Sequence, residues 1–433
     1  MESVQFRDIP AAGIDRALSL AYLVFHETPE EEKRKHHHEL LLDCVRIGAY
    51  EDGELVGFVA AFPFTVSVPG GELPCPCLTF VSVAPTHRRR GVLSGMLAEL
   101  FARAVADGSP IASLWASEDA IYGRFGFGPA THGHTVEIDS RRPLALRITP
   151  DDRPLRLVDP ADAPGLLGAY YDRTRTERAG RIARGEAWWR EEWLVTEDEE
   201  DDELSPPRVV VLGATGAPGA TGAPNSPSDN ATLPNTTATT NTTTIAGYAI
   251  YRTKTRDDAP GLVRLDELEA DTPAAAAALW RYLASIDLTG LVRAWGRPVD
   301  DPLHLFAADR DQVRVTGDFP ALWLRLVDVR KALESRSWAA PVDVVLDVRD
   351  DRLPANAGRH RLTASPDGCT YEPTDAPADL TLDVRDLAAC YLGGTKADAL
   401  VRAGLATEHT PGTVAALDAA LHTPLLPHTV DEF

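Results

Sequence analysis

The chain has 433 residues, enough for two to four domains that each bury a hydrophobic core. Its 65 Asp and Glu residues outnumber its 43 Lys and Arg residues, and the net charge of −22 argues against nucleic acid as a partner, since nucleic acid requires a basic surface. The five cysteines form no disulfide framework, and no apolar stretch predicts a membrane span or a signal peptide, so we expect a cytoplasmic protein that does not contact membranes.

The first region, residues 4–138, alternates strand and helix patterns. Strands are predicted at Val4–Arg7, Val45–Tyr50, Leu55–Val66 and Leu73–Val83, and helices at Ile14–Phe25 and Glu30–Leu42. The consecutive histidines His36–His38 point in different directions on a helix, so we interpret them as a solvated face. Cys75 and Cys77 lack a second ligand pair at zinc spacing, and we expect no metal.

A strand, a turn and a helix follow one another in Thr79–Leu93. The strand stops at Pro85, the arginines Arg88–Arg90 occupy the turn, and Gly91 precedes the helix. Backbone N–H groups at the start of a helix bind anions, and arginine side chains add donors for phosphate. The alternative is a solvated basic turn between a core strand and a core helix, and a second motif argues against it.

That second motif is Ser117–Gly128, which follows an apolar strand at Ile111–Trp115 and predicts a short helix that breaks at glycines. Together the two motifs resemble the GNAT superfamily of N-acetyltransferases. They resemble more closely its enhanced intracellular survival family, in the run VAPTHRRRG at residues 83–91 and the run YGRFG that starts at Tyr122.

This resemblance implies a site for acetyl-CoA and an amine acceptor. It implies that acetyl-CoA is bound by Val81, Val83, Arg88, Arg89, Gly91, Val92 and Ser117. In this site the Val83 N–H polarises the thioester carbonyl, and the Val81 backbone pairs with the pantetheine arm. Tyr122 is implied to be the general acid, and the α-carboxylate of Phe433 the general base, acting through water. Contacts to the acceptor are implied for Phe80 and Glu432.

The second region, residues 140–316, repeats part of this pattern. It predicts a helix at Leu166–Arg178, strands at Ile245–Tyr251 and Gly261–Leu268, and a helix at Ala274–Leu283. The turn before that last helix, Asp271–Pro273, carries neither arginine nor glycine. We interpret the region as a degenerate acetyltransferase-like domain without a phosphate site, as the resemblance also implies.

An insert, Glu197–Thr244, interrupts the second region. It opens with seven consecutive acidic residues, repeats the run Gly-Ala-Thr-Gly-Ala-Pro and ends in a tract of Thr and Asn. Such low complexity predicts a disordered loop that does no chemistry. Arg208–Leu212 is the one candidate strand within it.

The third region, residues 317–433, predicts a further mixture of strands and helices. Its strands are expected at Leu322–Asp328, Val342–Val348 and Leu380–Val384, and its helices at Val329–Glu334, Val384–Leu392 and Lys396–Ala403. It resembles the sterol-carrier-like domain that closes the same family, and we favour a structural role over lipid carriage. The predicted fold class is α/β with mixed sheets: tandem GNAT folds, residues 1–139 and 140–316, followed by a sterol-carrier-protein-like α+β domain.

The sequence therefore predicts an acetyl-CoA-dependent N-acetyltransferase that acts directly on a cationic, multi-amine acceptor of the aminoglycoside type. Asp431 and Glu432 would rim a cleft suited to such a cation, with a solvated tail as the alternative for Asp431. The resemblance also implies a homo-hexamer. Two other functions stay open, namely acetylation of lysine or a small polyamine, and a non-enzymatic lipid-binding protein with a vestigial first domain.

Overall fold

A computed structural model of the protein describes residues 4–198, 201–213, 244–256 and 259–433. The strands up to residue 139 are β1 (Gln5–Asp8), β2 (Val45–Glu51), β3 (Glu54–Val68), β4 (Gly71–Val83), β5 (Ile111–Trp115), β6 (Gly128–Pro129) and β7 (His132–Asp139). The helices of this part are α1 (Ile14–Phe25), α2 (Glu31–Leu41), α3 (Val92–Ala106) and α4 (Asp119–Tyr122).

The middle of the chain adds strands and mostly short helices. Its strands are β8 (Leu155–Val158), β9 (Arg208–Leu212), β10 (Gly247–Lys254), β11 (Gly261–Ala270), β12 (Thr289–Pro298) and β13 (Val313–Pro320). Its helices are α5 (Ala163–Thr174), α6 (Glu186–Trp188), α7 (Pro273–Leu283) and α8 (Leu303–Phe306), and a π-helical turn at Trp189–Trp193 follows α6.

The last part of the chain contains a smaller sheet and its covering helices. The strands are β14 (Leu322–Leu326), β15 (Val342–Arg349), β16 (Gly358–Ser365), β17 (Gly368–Pro373), β18 (Leu380–Asp383) and β19 (Thr407–Glu408). The helices are α9 (Val329–Ser335), α10 (Val384–Tyr391), α11 (Ala397–Arg402) and α12 (Thr413–Leu421). Among the helices that the structure describes, none is long and apolar enough to cross a membrane.

The strands form three mixed sheets, in agreement with the predicted fold class. Their orders are β1-β2-β3-β4-β5-β14-β6, β13-β7-β12-β11-β10-β9-β8 and β17-β16-β15-β18-β19. Each contains one parallel pair among antiparallel neighbours: β4 with β5, β11 with β12, and β15 with β18.

Two strands lie in a different sheet from the rest of their predicted region. β7, which ends the first predicted region at residue 139, pairs with β12 and β13 in the second sheet. β14, which follows residue 317, pairs with β5 and β6 in the first sheet. Its buried Arg325 donates a hydrogen bond to Asp350 at 2.6 Å and lies over the ring of Phe101. The predicted third-region strand Leu322–Asp328 is therefore a strand of the first sheet, which it ties to the last part of the chain.

The first sheet has a hydrophobic core on each face. Successive side chains of a strand point to opposite faces of the sheet, so neighbouring residues of β3 belong to different cores. Phe58 and Phe62 pack on the α1 side, in a core that continues into the third sheet. Val59 packs on the α3 side with Met96 and Phe101. Groups on opposite faces of the first sheet can therefore act on one ligand only where the sheet has an opening.

The acidic run departs from the expectation of a disordered loop. Asp198 forms an ion pair with Arg264, and Asp201 accepts hydrogen bonds from Lys254 at 2.8 Å. β9, predicted as the candidate strand, lies between β8 and β10 in the second sheet. The described residues 197–198 and 201–213 thus belong to the folded domain, because their carboxylates neutralise cations of β10 and β11. The repeats and the Thr/Asn tract at 214–243 lie outside the described residues.

Candidate active site

Strands β4 and β5 diverge in the middle of the first sheet. Their parallel pairing joins Cys77 to Ser113 and Leu78 to Leu114. The described residues of β4 beyond this point pair with β3 on the other side and not with β5. The β5 side of Thr79–Val83 is therefore open, at the end of β4 that leads into the arginine-rich turn. An extended ligand can hydrogen-bond to such an edge as an added strand.

Phe80, Val81 and Val83 lie on the open part of β4. Phe80 has a φ of 50°, which is uncommon for a bulky side chain, and it lies at an irregularity of the β3–β4 pairing near Phe58. Its ring stacks on Phe58 with centroids 6.4 Å apart on the α1 side, whereas Val81 and Val83 pack on the α3 side. The distorted backbone thus directs an aromatic ring to the face opposite α3, and strained backbone of this kind concentrates at functional sites.

The histidine run of α2 lies against this aromatic residue. The ring of His37 meets Phe80 edge-on at 5.1 Å, and its Nδ1 atom is 2.9 Å from the hydroxyl of Tyr22. The flanking histidines bond to carboxylates on other elements. The expectation of a solvated face is therefore wrong, since all three rings are half-buried and partnered. Sequence reasoning missed His37 because its partners belong to α1 and β4.

The start of α3 is open to a ligand. Gly91 precedes the helix with a φ of 83°, a Cβ at this position would meet open space, and no side chain of the described residues caps the helix. The first N–H groups of α3 are thus available to an anion, with Arg88 and Arg89 exposed on the turn. Arg90 instead donates to Glu51 at 2.6 Å. Arg90 thus already has a carboxylate partner, and phosphate binding by Arg88 and Arg89 stays a prediction.

Two further predicted ligands of acetyl-CoA differ in what they can offer. Val92 is 2 % exposed and packs so closely on Gly57 that a Cβ there would lie 2.7 Å from it. Only its backbone N–H can face a ligand. Ser117 is exposed in the connection between β5 and α4, across the gap from β4.

Tyr122 lies at the end of α4 and is 6 % exposed. Its ring meets Phe127 edge-on at 6.1 Å and packs into the core on the α3 side. Burial, with a smaller contribution from the charge of Glu118, raises the pKa of Tyr122 to about 12. The phenol therefore keeps its proton near neutral pH and can serve as a donor.

The end of the chain packs against β3. The ring of Phe433 meets Phe64 edge-on at 6.1 Å, and Phe64 meets Trp188 edge-on at 5.1 Å. Glu432 is exposed. Asp431, by contrast, is 2 % exposed, so it neither rims a cleft nor lies in a solvated tail. The expectation for Asp431 is wrong because its carboxylate has buried partners on the second domain.

The predicted site residues therefore divide between the two faces of the first sheet. Tyr122, Val81 and Val83 pack on the α3 side, and Phe80 and Phe433 pack on the α1 side. The gap between β4 and β5 is the opening through which a ligand held at α3 can reach the other face. Within the part of the chain that the structure describes, no group of three or more His, Cys, Asp or Glu side chains is arranged to hold a metal ion.

Comparison with known protein families finds three matches along the chain. Residues 5–130 match a family described as an acetyltransferase (GNAT) domain, and residues 225–326 match a second family with the same description. Residues 329–429 match the sterol carrier protein domain. The open helix start and the diverging strands lie within the first of these matches.

Several bacterial proteins are similar over most of their length. An uncharacterized N-acetyltransferase of Streptomyces avermitilis is 40 % identical over 401 residues, which are 90 % of each chain. N-acetyltransferase Eis of Mycobacterium tuberculosis is 34 % identical over 397 residues, which are 90 % of this chain and 88 % of that one. The crystal structure of Eis1 from Mycobacterium abscessus superposes with a TM-score of 0.81 at 31 % identity, and covers all of both chains.

Proposed function

This chain belongs to the enhanced intracellular survival (Eis) family of N-acetyltransferases, and on that premise we propose that it moves the acetyl group of acetyl-CoA to amines of a cationic, multi-amine acceptor of the aminoglycoside type. The observation that carries the proposal is the gap between β4 and β5, which leads to an uncapped helix start. Acetyl transfer requires a bound donor, a polarised carbonyl, a proton acceptor for the amine and a proton donor for the departing thiolate.

The residues near the gap fit acetyl-CoA, which supplies the acetyl group as a thioester. We assign the pyrophosphate to the N–H groups of Gly91 and Val92 at the start of α3, with Arg88 and Arg89 as side-chain donors. Val81 and Val83 offer backbone groups to the pantetheine arm and the thioester carbonyl, and Ser117 faces them from across the gap. The support for these roles is the open edge of β4 and the exposure of both arginines.

Tyr122 is assigned as the general acid that protonates the thiolate. A phenol carries its proton at neutral pH, and burial, which raises the pKa of Tyr122, favours that protonated form further. The backbone N–H of Val83 is assigned to the carbonyl oxygen, where negative charge develops during transfer. Both assignments rest on side chains or backbone of the α3 face.

The α-carboxylate of Phe433 is assigned as the general base. The carboxylate takes the proton of the amine through a bridging water molecule, which passes one proton on to the carboxylate as it accepts another from the amine. Phe80 contacts the acceptor from β4, and Glu432 attracts its positive charge. The support is that Phe80 and Phe433 pack on the same face and that Glu432 is exposed beside the chain end.

A panel of amines with acetyl-CoA tests the proposal. Thiol release is followed for an aminoglycoside, a small polyamine and a lysine peptide, and mass spectrometry counts the acetyl groups on each product. The proposal expects more than one acetyl group on the aminoglycoside. Activity confined to the lysine peptide or the polyamine would replace the acceptor class, and no thiol release with any amine would overturn the proposal.

Membership in an enzyme family decides against the alternative of a non-enzymatic lipid-binding protein. Lysine and polyamine acceptors stay open as outcomes of the amine panel. A homo-hexamer remains a prediction from the sequence resemblance, and a cytoplasmic location remains one from the composition. Light scattering of the purified protein checks the first of them.

A further inference from the structure

The side chain of Asp431, two residues from the end of the chain, is fully buried. Its Oδ1 atom accepts hydrogen bonds from Arg184 Nε at 2.8 Å and from the indole Nε1 atoms of Trp188 and Trp193, each at 3.1 Å. Its Oδ2 atom accepts from Arg184 Nη2 at 3.1 Å and from the Tyr171 hydroxyl at 3.3 Å. Chain ends usually fray, so this many partners on a residue near the terminus calls for an explanation.

Arg184 connects this carboxylate to the second sheet. Its Nη1 and Nη2 atoms donate to the two oxygens of Glu267, on β11, at 2.9 and 2.8 Å. The guanidinium lies over the rings of Tyr171, Trp189 and Trp193 at 4.0, 4.6 and 4.1 Å. A bidentate, stacked arginine has little freedom to move, and it therefore holds Asp431 in a fixed position relative to β11.

The charges of this cluster make the indole and phenol donors necessary. One guanidinium faces two buried carboxylates, so Arg184 alone leaves one negative charge in excess. Burial raises the pKa of Tyr171 well above its usual range, so its hydroxyl stays protonated and donates to Asp431. Burial of a charge is costly unless every lone pair is satisfied, and the five donors from the second domain meet that requirement.

The tail is also held upstream of Asp431. The backbone N–H of Leu426 donates to Asp300, and that of His428 donates to the carbonyl of Ala179 at 2.8 Å. Val430 packs so closely on Gly296 that a Cβ there would lie 2.8 Å from its side chain. These contacts and the Asp431 cluster fix the chain up to its antepenultimate residue, so that only the last two residues extend beyond the anchor.

Trp188 links the anchor to the chain end. Its indole N–H donates to Asp431, and the edge of the same ring meets Phe62 at 5.7 Å and Phe64 at 5.1 Å. Phe64 in turn contacts the ring of Phe433. One side chain thus connects the position of the buried carboxylate with the aromatic wall on which the last residue packs.

We propose that Arg184 and Asp431 are positioning residues that place the α-carboxylate of Phe433 for proton transfer; this rests on the function proposed above, in which that carboxylate is the base. Two residues span at most about 7 Å, so a shift of the anchor is transmitted to the terminus with little slack. The anchor acts through Phe433 and does not itself contact the substrates. A role in folding alone is the competing explanation.

A double-mutant cycle separates positioning from folding. Asp431→Asn is made in the chain that ends in the free carboxylate of Phe433 and again in a chain whose Phe433 carboxylate is converted to an amide by protein ligation. With the free carboxylate we expect kcat to fall about 100-fold, the loss typical of a misplaced catalytic group. With the amidated terminus the same substitution should cause no further loss. The KM for acetyl-CoA should stay unchanged in both.

Arg184→Lys and Glu269→Gln complete the design. Arg184→Lys keeps a positive charge but cannot bridge both carboxylates, so it should reproduce the background-dependent loss and serves if Asp431→Asn does not fold. Glu269→Gln is the control. Glu269 accepts a hydrogen bond at 2.6 Å from Arg181, which lies on the same chain segment as Arg184. This substitution does not change the contacts of Asp431, so kcat should stay unchanged.

Two results would overturn the inference. An equal loss of kcat in both backgrounds would show that Asp431 supports the fold, and wild-type kcat in Asp431→Asn would show that no anchor is needed. The failure of the proposed base gives a different result, because the amidated chain would then keep full activity before any substitution is made.

Discussion

Glu51, at the end of β2, accepts a hydrogen bond from Arg90 at 2.6 Å, so the third arginine of the turn is held by a carboxylate of the first sheet. His87 lies 2.9 Å from the other oxygen of the same carboxylate. These two contacts hold the turn against the first sheet, while Arg88 and Arg89 remain exposed beside the open start of α3. The three arginines are equivalent in the sequence and differ in their partners, which makes Arg90 the matched control for the other two.

Arg88→Ala and Arg89→Ala should each weaken acetyl-CoA binding by about 1.5–3 kcal/mol, the range for a charge-assisted hydrogen bond. Isothermal titration calorimetry measures the effect. Arg90→Ala should leave the affinity nearly unchanged, because its side chain is engaged with Glu51. If Arg90→Ala weakens binding as much as the other two substitutions, the turn binds through its overall charge, and the assignment of two specific donors is wrong.

Tyr122→Phe should lower turnover about 100-fold or more, as expected for loss of a general acid. The ring and its packing on Phe127 remain, so the melting temperature and acetyl-CoA affinity should barely change. Normal turnover in Tyr122→Phe would show that the hydroxyl is not the general acid and that Tyr122 only packs in the core.

The raised pKa of Tyr122 adds a prediction about pH. Burial raises the pKa from 10.0 to about 12, so the neutral phenol is favoured in the folded state. The stability that this contributes is complete below pH 10.0 and is lost as the pH rises towards about 12. Tyr122→Phe should therefore unfold less steeply than the wild type in alkaline titration, and identical alkaline unfolding curves would contradict the shift.

Local sequence signals predicted much of the fold. The helix Ile14–Phe25 begins and ends where its apolar periodicity does, and the turn before α3 carries its arginines and glycine within a few residues. The exchange of β7 and β14 between sheets could not be predicted, because pairing between β5 and β14 joins residues about 200 positions apart. The positive φ of Phe80 is equally invisible in an alternating strand pattern.

The candidate site also contains residues that the sequence could predict and residues that it could not. The residues at the start of α3 and Tyr122 lie in short motifs and could be found from the sequence. The burial of Asp431 could not be found, since its partners Tyr171, Arg184 and Trp188 lie more than 240 positions away. A carboxylate near a chain end is most often solvated, and the sequence does not show that Asp431 meets these side chains in the fold.

Replacement of residues 214–243 by a short Gly/Ser linker should leave the melting temperature and activity nearly unchanged. The adjoining strands β9 and β10 are antiparallel, with Leu212 paired to Gly247, so a short connection closes the same hairpin. Extending the deletion back to residue 197 is the matched comparison. It removes β9 and the ion pair between Asp198 and Arg264, and should lower the melting temperature clearly. Equal stability of the two deletions would show that β9 is dispensable.

Extension of the chain by one residue after Phe433 should abolish most activity. Asp431 holds the tail against the second domain, so an added residue moves the terminal carboxylate by about 3.5 Å and replaces that of Phe433 with a peptide group. A tag before Met1 should be harmless. Phe433→Ala keeps the carboxylate but loses the contact with Phe64, and we expect a smaller loss than for the extension. Steady-state thiol release measures all three.

An extension can also block the cleft by its bulk, and amidation of the terminus distinguishes bulk from charge because it removes the charge with almost no added volume. The amidated protein should lose most turnover, since the neutral amide cannot accept a proton through water. It should still bind acetyl-CoA by calorimetry, because Arg88 and the start of α3 are unchanged. Full turnover in the amidated protein would mean that another group is the base. Glu118, directly before α4, and His26, directly after α1, would be the next side chains to substitute.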